Sequence, residues 1–129
     1  MSAQSLQSYN GSLLKKTFIY DYSAMGGLTT DTFTGFTLPA GCTPVKATID
    51  IIKAPTSASS TAQIALTLAG TPGHTIKAAT VITDGFYATK GRKHVNLSTI
   101  ITVIETATFI PTVEALSAGV IRVTVYYTI

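Results

Sequence analysis

At 129 residues the chain has the length of one domain with a core of its own, and 46% of its residues are apolar. Only 12% of the residues are charged and the net charge is +3, which is far from the clustered basic face of a nucleic-acid binder. One cysteine, Cys42, excludes an internal disulfide, and no apolar run approaches the length of a membrane span.

The low charge fits two situations: a surface partly covered by other protein, or a β protein whose solvent face is threonine. The start, Met1 to Gln7, lacks the basic and apolar regions of a secretory signal, so synthesis in the cytosol is expected. Residues 1–12 are small and polar and end at Asn10-Gly11, which predicts a flexible arm. The single domain is expected over residues 13–129.

Lys15 to Tyr22 predicts a first strand with Phe18, Tyr20 and Tyr22 on one face, broken by Gly26-Gly27. Thr32 to Leu38 predicts a second, in which Phe36 is out of phase with Phe33 unless Gly35 makes a bulge. Pro39-Ala40-Gly41 stops it. From Val45 to Lys53 the pattern alternates, with Val45, Ala47, Ile49 and Ile51 on one face and Lys46, Thr48 and Asp50 on the other. Ile52 falls on the polar side, which predicts burial on both faces there.

Pro55 to Ser60 reads as a loop. Gln63 to Ala69 is a strand with Ile64, Leu66 and Leu68 inward, ended by Gly70 to Gly73. Ile76 to Thr83 fits a short strand or one helical turn, and Asp84 to His94 a loop or loose hairpin. Val95 to Leu97 and Ile100 to Ile110 read as strand, with Ile101, Val103, Ala107 and Phe109 sharing a face with Glu105; Pro111 ends it. Finally Leu116 to Ile129 opens with a Ser-Ala-Gly turn and alternates to the end, placing Ile121, Val123, Val125, Tyr127 and Ile129 together. About eight strands between Gly/Pro turns, without a long helical period, predict an all-β fold: an antiparallel, jelly-roll-like β-sandwich.

Catalytic templates find little. His74 and His94 sit in separate segments with no ligand spacing to each other or to Cys42, so no metal site and no cofactor is expected. Among the six carboxylates, Glu105 stands out for its apolar phase; buried, it would suit an acid role, but glycoside cleavage needs a second carboxylate, and a strand-end or ion-paired position is the more ordinary outcome. No nucleophile signature is present, so no enzyme is expected. Lys90-Gly91-Arg92-Lys93-His94, after Phe86-Tyr87, is the main charge cluster; a solvated loop tip or a contact with an acidic protein surface suits it better than nucleic acid, since the sequence shows no second basic run.

Two further segments belong together. Phe36-Thr37-Leu38-Pro39-Ala40-Gly41, followed by the strand containing Ile49-Asp50-Ile51, and the closing Leu116-Ser117-Ala118-Gly119 with Val120 to Tyr127 resemble the opening and closing of small β-rich structural proteins of tailed bacteriophages. The resemblance runs from about Phe33 to Ile129 and implies a virion component made in the host cytoplasm. It brings no catalytic residues.

A capsid decoration (cement) protein on the major capsid protein is the first expectation. Its arm, with Leu6, and the cations Lys90, Arg92 and Lys93 would touch the shell. The alternative is a head or tail fibre module binding cell-surface carbohydrate through Phe86, Tyr87 and Tyr126. A homo-oligomer, dimer or trimer, is expected, without nucleic acid or membrane partners.

Overall fold

The computed structural model describes residues 13–70, 73–97, 100–101 and 103–129. The predicted arm, and with it Leu6, lies outside the described residues. Among those described, eight strands form, in order β1 (Leu13–Asp21), β2 (Phe33–Leu38), β3 (Thr43–Ser57), β4 (Gln63–Ala69), β5 (His74–Val81), β6 (Gly91–Asn96), β7 (Glu105–Thr112) and β8 (Leu116–Thr128). Two one-turn helices, α1 (Tyr22–Met25) and α2 (Gly85–Ala88), interrupt them. Each is capped by the aspartate before it: Asp21 accepts from the Ser23 N–H and Asp84 from the Phe86 N–H.

Sheet I has the order β1-β8-β3-β6 and sheet II the order β2-β7-β4-β5, with every pairing antiparallel. β1 pairs β8, β2 pairs β7, β3 pairs β6 and β4 pairs β5. That is one long antiparallel hairpin of four strand pairs, rolled so that β8 meets β3 and β7 meets β4. This is the jelly-roll form of the sandwich.

Strand alternation fills the space between the sheets. Ile121, Val123, Val125 and Tyr127 of β8, Ala47, Ile49 and Ile51 of β3, and Ile64, Leu66 and Leu68 of β4 are all buried. Tyr20 of sheet I stacks on Phe109 of sheet II with ring centroids 4.0 Å apart, and Phe33 tilts against both. The Tyr20 hydroxyl donates to the Gly26 carbonyl; burial, aided by neighbouring Tyr22 and Asp21, pushes its pKa up to about 12.

The two open sides of the sandwich are closed differently. Along β1 and β2 the register of β2 slips between Thr34 and Thr37, the bulge that Gly35 permits. A Cβ at Gly35 would stand 2.5 Å from the Phe18 ring, so only glycine lets the two edges approach. Along β5 and β6, α2 inserts Tyr87, fully buried, whose hydroxyl donates to the Ile64 carbonyl at 3.1 Å.

Several expectations are corrected by bulges. β3 does not stop before Pro55 but runs to Ser57, with register slips between Ile51 and Lys53 and between Lys53 and Thr56. The first slip makes Ile52 the extra residue, 43% exposed rather than doubly buried. The second places Pro55 where no ladder donor is required. β7 likewise continues through Pro111.

Ile100, Ile101, Val103 and Ile104 are not strand: Ile101 is buried through backbone bonds to Gly41 and Cys42, while Val103 and Ile104 are exposed. Ile129 is 79% exposed, beyond the last paired residue. The segment left open between strand and helical turn is β5, which runs from His74 to Val81, and the expected loop after it is α2 followed by β6. Leu116 to Gly119 belongs to β8.

Candidate functional site

Alternation that sends apolar residues inward sends the remainder outward, and strand order decides what meets on each outer face. On sheet I, the register aligns Ile19, Arg122, Asp50 and Arg92 in one row across four strands. The next row is Thr17, Thr124, Thr48 and His94, and the one beyond is Lys15, Tyr126, Lys46 and Asn96. Towards the other end Asp21, Val120 and Lys53 form a further row. Lys15, Lys46, Lys53, Arg92 and Arg122 thus share a face with only two carboxylates, Asp21 and Asp50.

The face is organised by hydrogen bonds. The Arg92 guanidinium donates to Asp50 from Nε at 2.7 Å and from Nη2 at 3.3 Å, and Arg122 Nη1 lies 3.6 Å from the same carboxylate. The Arg92 hydrogen bond, outweighing partial burial, holds the Asp50 carboxyl below its ordinary range. One carboxylate therefore hydrogen-bonds the Arg92 guanidinium and ion-pairs with that of Arg122, leaving both about half exposed. Lys46 Nζ stands 4.9 Å from the centre of the Tyr126 ring. Thr17 and Thr124 share a hydroxyl hydrogen bond of 3.1 Å.

The strands of sheet II are chemically different. They contain three ionisable residues: Glu105, His74 and Lys77. Glu105 and His74 meet Nδ1 to Oε1 at 2.6 Å, with the Glu105 side chain fully buried and the imidazole 20% exposed beside it. Glu105 Oε2 has no hydrogen-bond partner among the described residues. Lys77 is drawn to the rim, its ammonium 4.5 Å from the centre of the Phe86 ring. The outer face is thereby left to Thr, Ala, Gln and Ile, with Val81 beside Gln63 at one end.

Of the cations expected to act together in a loop, Arg92 lies on the sheet I face. Lys93 pairs with inward-facing Ile49 and donates its ammonium to the Thr89 carbonyl, while Lys90 is exposed in the turn before β6. The cluster is split because these residues begin a strand rather than a free loop. The aromatic set does not converge either: Tyr126 lies under Lys46 in the middle of sheet I, whereas Tyr87 is 0% exposed and offers no ring face to a sugar. Phe86 packs edge-on against Tyr87 and under Lys77.

Glu105 is inside, as its phase predicted, but its bonding partner is a histidine and not a second carboxylate. A shallow open cleft of about 310 Å³ lies beside His74, lined by Thr67 to Gly70 and Gly73 to Thr75. Cys42 is buried, and burial raises its thiol pKa. Among the described residues no group of three or more His, Cys, Asp or Glu could hold a metal ion. No helix among them is long and apolar enough to cross a membrane.

No protein-family model and no curated protein sequence matches the chain. Solved structures do. One chain of the acid-stable capsid of Helicobacter pylori bacteriophage KHP30 superposes with a TM-score of 0.59 at 12% identity, covering 91% of this chain and 93% of the other. A chain of the cyanophage Pam1 capsid gives 0.62 at 18%, covering 91% and 83%. A chain of the Ralstonia phage GP4 capsid gives 0.56 at 14%, covering 92% and 84%. The fold is one that phage capsids contain. In each case the match spans most of both chains, so the similar chains are close to this one in length.

What sequence reasoning missed is the basic face itself. Its members are spread from Lys15 to Arg122, on four strands, and only the pairing of β8 with both β1 and β3 brings them together. The alternation of each strand already marked them as outward; the strand order is the added information.

Proposed function

We propose that this protein is a structural component of a bacteriophage particle, a decoration (cement) protein that docks on the shell through the outer face of sheet I. The observation that carries the reading is the concentration of charge. Seven of the nine Lys and Arg residues belong to sheet I strands, and five share its outer face with two carboxylates. A flat, hydrogen-bonded, positive face fits an acidic protein surface, where Arg and Tyr contribute most at interface centres. The capsid origin of three chains with this fold and of similar length supports the particle as the setting; the partner we propose is the major capsid protein, and the place of synthesis the host cytoplasm.

Repetition makes such a contact effective. A single exposed ion pair contributes only about 0.2–1 kcal/mol, but a shell offers many equivalent sites, and a protein touching two subunits at once gains avidity from each. The shell then opens only when both contacts break.

The test mixes purified protein with undecorated shells of its phage and counts bound copies by cryo-electron microscopy. Wild type is expected to decorate them, with occupancy falling as salt shortens the Debye length from ~10 Å at 0.1 M to ~3 Å at 1 M. Lys46→Glu combined with Arg122→Glu should abolish decoration. Normal occupancy by that folded double variant would overturn the reading.

A further inference from the structure

The outer face of sheet II is the neutral counterpart of the basic face. One row runs Thr34, Thr108, Thr67, Thr75 across all four strands; the next is Thr37, Thr106, Ala69, and on the other side Ile110 meets Ala65 and Thr112 meets Gln63. No residue in these rows is ionisable. The side chains are short, so the face is shallow, and the hydroxyls of Thr67 and Thr108 satisfy each other rather than calling for water. The ionisable residues of these strands are turned away, Glu105 and His74 inward and Lys77 to the rim.

This chain carries a formal charge of +3, concentrated on sheet I. Two copies meeting through sheet I would set like charges against each other, which costs free energy and slows encounter. Meeting through sheet II they cover Thr, Ala, Gln, Ile and Val81 and keep the five cations of the sheet I face on opposite outer surfaces, with only Lys16, bonded to the Thr37 carbonyl, and Lys77 at the rims. We infer that sheet II is a self-association face, and that its occupant is sheet II of a second copy of this chain, related by a two-fold axis.

The size of the face sets the strength. Four strands at ~4.8 Å spacing and about seven residues at ~3.3 Å each give roughly 440 Å² per copy. The resulting roughly 900 Å² in total lies at the low end of specific interfaces, where association is weak and concentration-dependent. The geometry has a consequence that rests on the docking role proposed above: a dimer joined back to back displays two basic faces pointing in opposite directions. It would clamp two acidic surfaces rather than lie on one.

Sedimentation velocity on the full chain, from micromolar to millimolar concentration, tests the dimer without any shell present. A reversible monomer–dimer equilibrium is expected. Ala65→Lys, which puts a cation at the middle of the face, should weaken it at least about tenfold, while Lys46→Ser on sheet I should leave it unchanged or strengthen it.

An Ala65→Cys variant covers the case in which Ala65→Lys fails to fold, since buried Cys42 stays out of reach of a reagent. A short bis-maleimide should join two copies of it, and millimolar carrier without reactive thiol should not change the yield per dimer. A single monomeric species at every concentration overturns the inference, as does undiminished association of Ala65→Lys or a failure of the Ala65→Cys variant to cross-link. None of these outcomes touches shell docking, which the decoration assay reads separately.

Discussion

Removing the hydroxyl of Tyr87 isolates one hydrogen bond in the wall between the sheets. Ile64, whose carbonyl accepts from that hydroxyl, stands where the ladder is weak on both sides. Opposite it on β7 is Pro111, which brings no N–H, and on β5 the register slips between Ile64 and Leu66. Burial also raises the Tyr87 pKa, so the phenol remains a donor across the working range. Tyr87→Phe keeps the ring and leaves a buried carbonyl short of a partner, a cost of about 1–3 kcal/mol. Tyr87→Ala adds loss of the ring, about 3–5 kcal/mol more, which is a large part of the ~5–15 kcal/mol stability of a domain.

Urea unfolding followed by circular dichroism measures both. With a slope of about 2 kcal/mol per molar, Tyr87→Phe should lower the midpoint by roughly 0.5–1.5 M at unchanged slope, and Tyr87→Ala by roughly 2–4 M. A Tyr87→Phe midpoint within about 0.2 M of wild type would refute the claim that the hydroxyl repairs a break in the sheet. Tyr87→Ala with normal stability would return Tyr87 to the surface and reopen a ligand role for its ring.

Three other perturbations follow from single contacts. His74→Ala should destabilise by about 1–3 kcal/mol, because it removes the hydrogen bond of Glu105 Oε1 and leaves a buried side chain whose Oε2 already has no partner among the described residues; thermal unfolding reads it, and a loss under about 0.5 kcal/mol would mean that water reaches the group. Glu114 accepts from the Ser59 and Thr61 N–H groups and the Thr61 hydroxyl, and its carboxyl, held chiefly by the Ser57 side chain, falls to about 2. Its folded pKa lies below the ordinary 4.5, so its stabilising effect is complete above that value and fades as pH falls towards 2: Glu114→Gln should lower the melting temperature at pH 6 and make no difference at pH 2. Val113, at the β7–β8 turn, has φ 73° and is 67% exposed, a left-handed conformation that β-branched residues resist. Val113→Asn should therefore raise stability by about 1 kcal/mol, and an unchanged or lower melting temperature would show that the turn holds no strain.

Much of the fold was legible because alternation is a local property. β4 was readable in full, and so was the inward set of β8 up to Tyr127, since each apolar residue there meets the core with a period of two. Gly35 as the bulge that restores Phe36 to phase was legible for the same reason. Proline misled at Pro55 and Pro111, where rules about donors predict strand ends; bulges in β3, and a missing donor answered from α2, let the strands pass. Residues 84–94 misled in the opposite way, because a capped single turn and a six-residue edge strand give too short a pattern to separate from a loop.

The candidate face was the least legible part. Arg92 was singled out for its neighbours in sequence, Lys90 and Lys93, yet its partners in space are Asp50 and Arg122. Those contacts depend on β8 lying between β1 and β3, which no local pattern states. Tyr87, a candidate for stacking on a sugar by its place in the sequence, is interior because α2 folds it between the sheet edges.

The position of β8 also bears on how the protein is made. It lies between β1 and β3, so during translation those two strands leave the ribosome and wait with unpaired edges until β8 emerges. Sheet I can close only when residues near Tyr127 have cleared the exit tunnel, and until then its future partners are open to pairing with other nascent chains. A synonymous-codon change that slows elongation within β8 should lower soluble yield without altering the finished molecule.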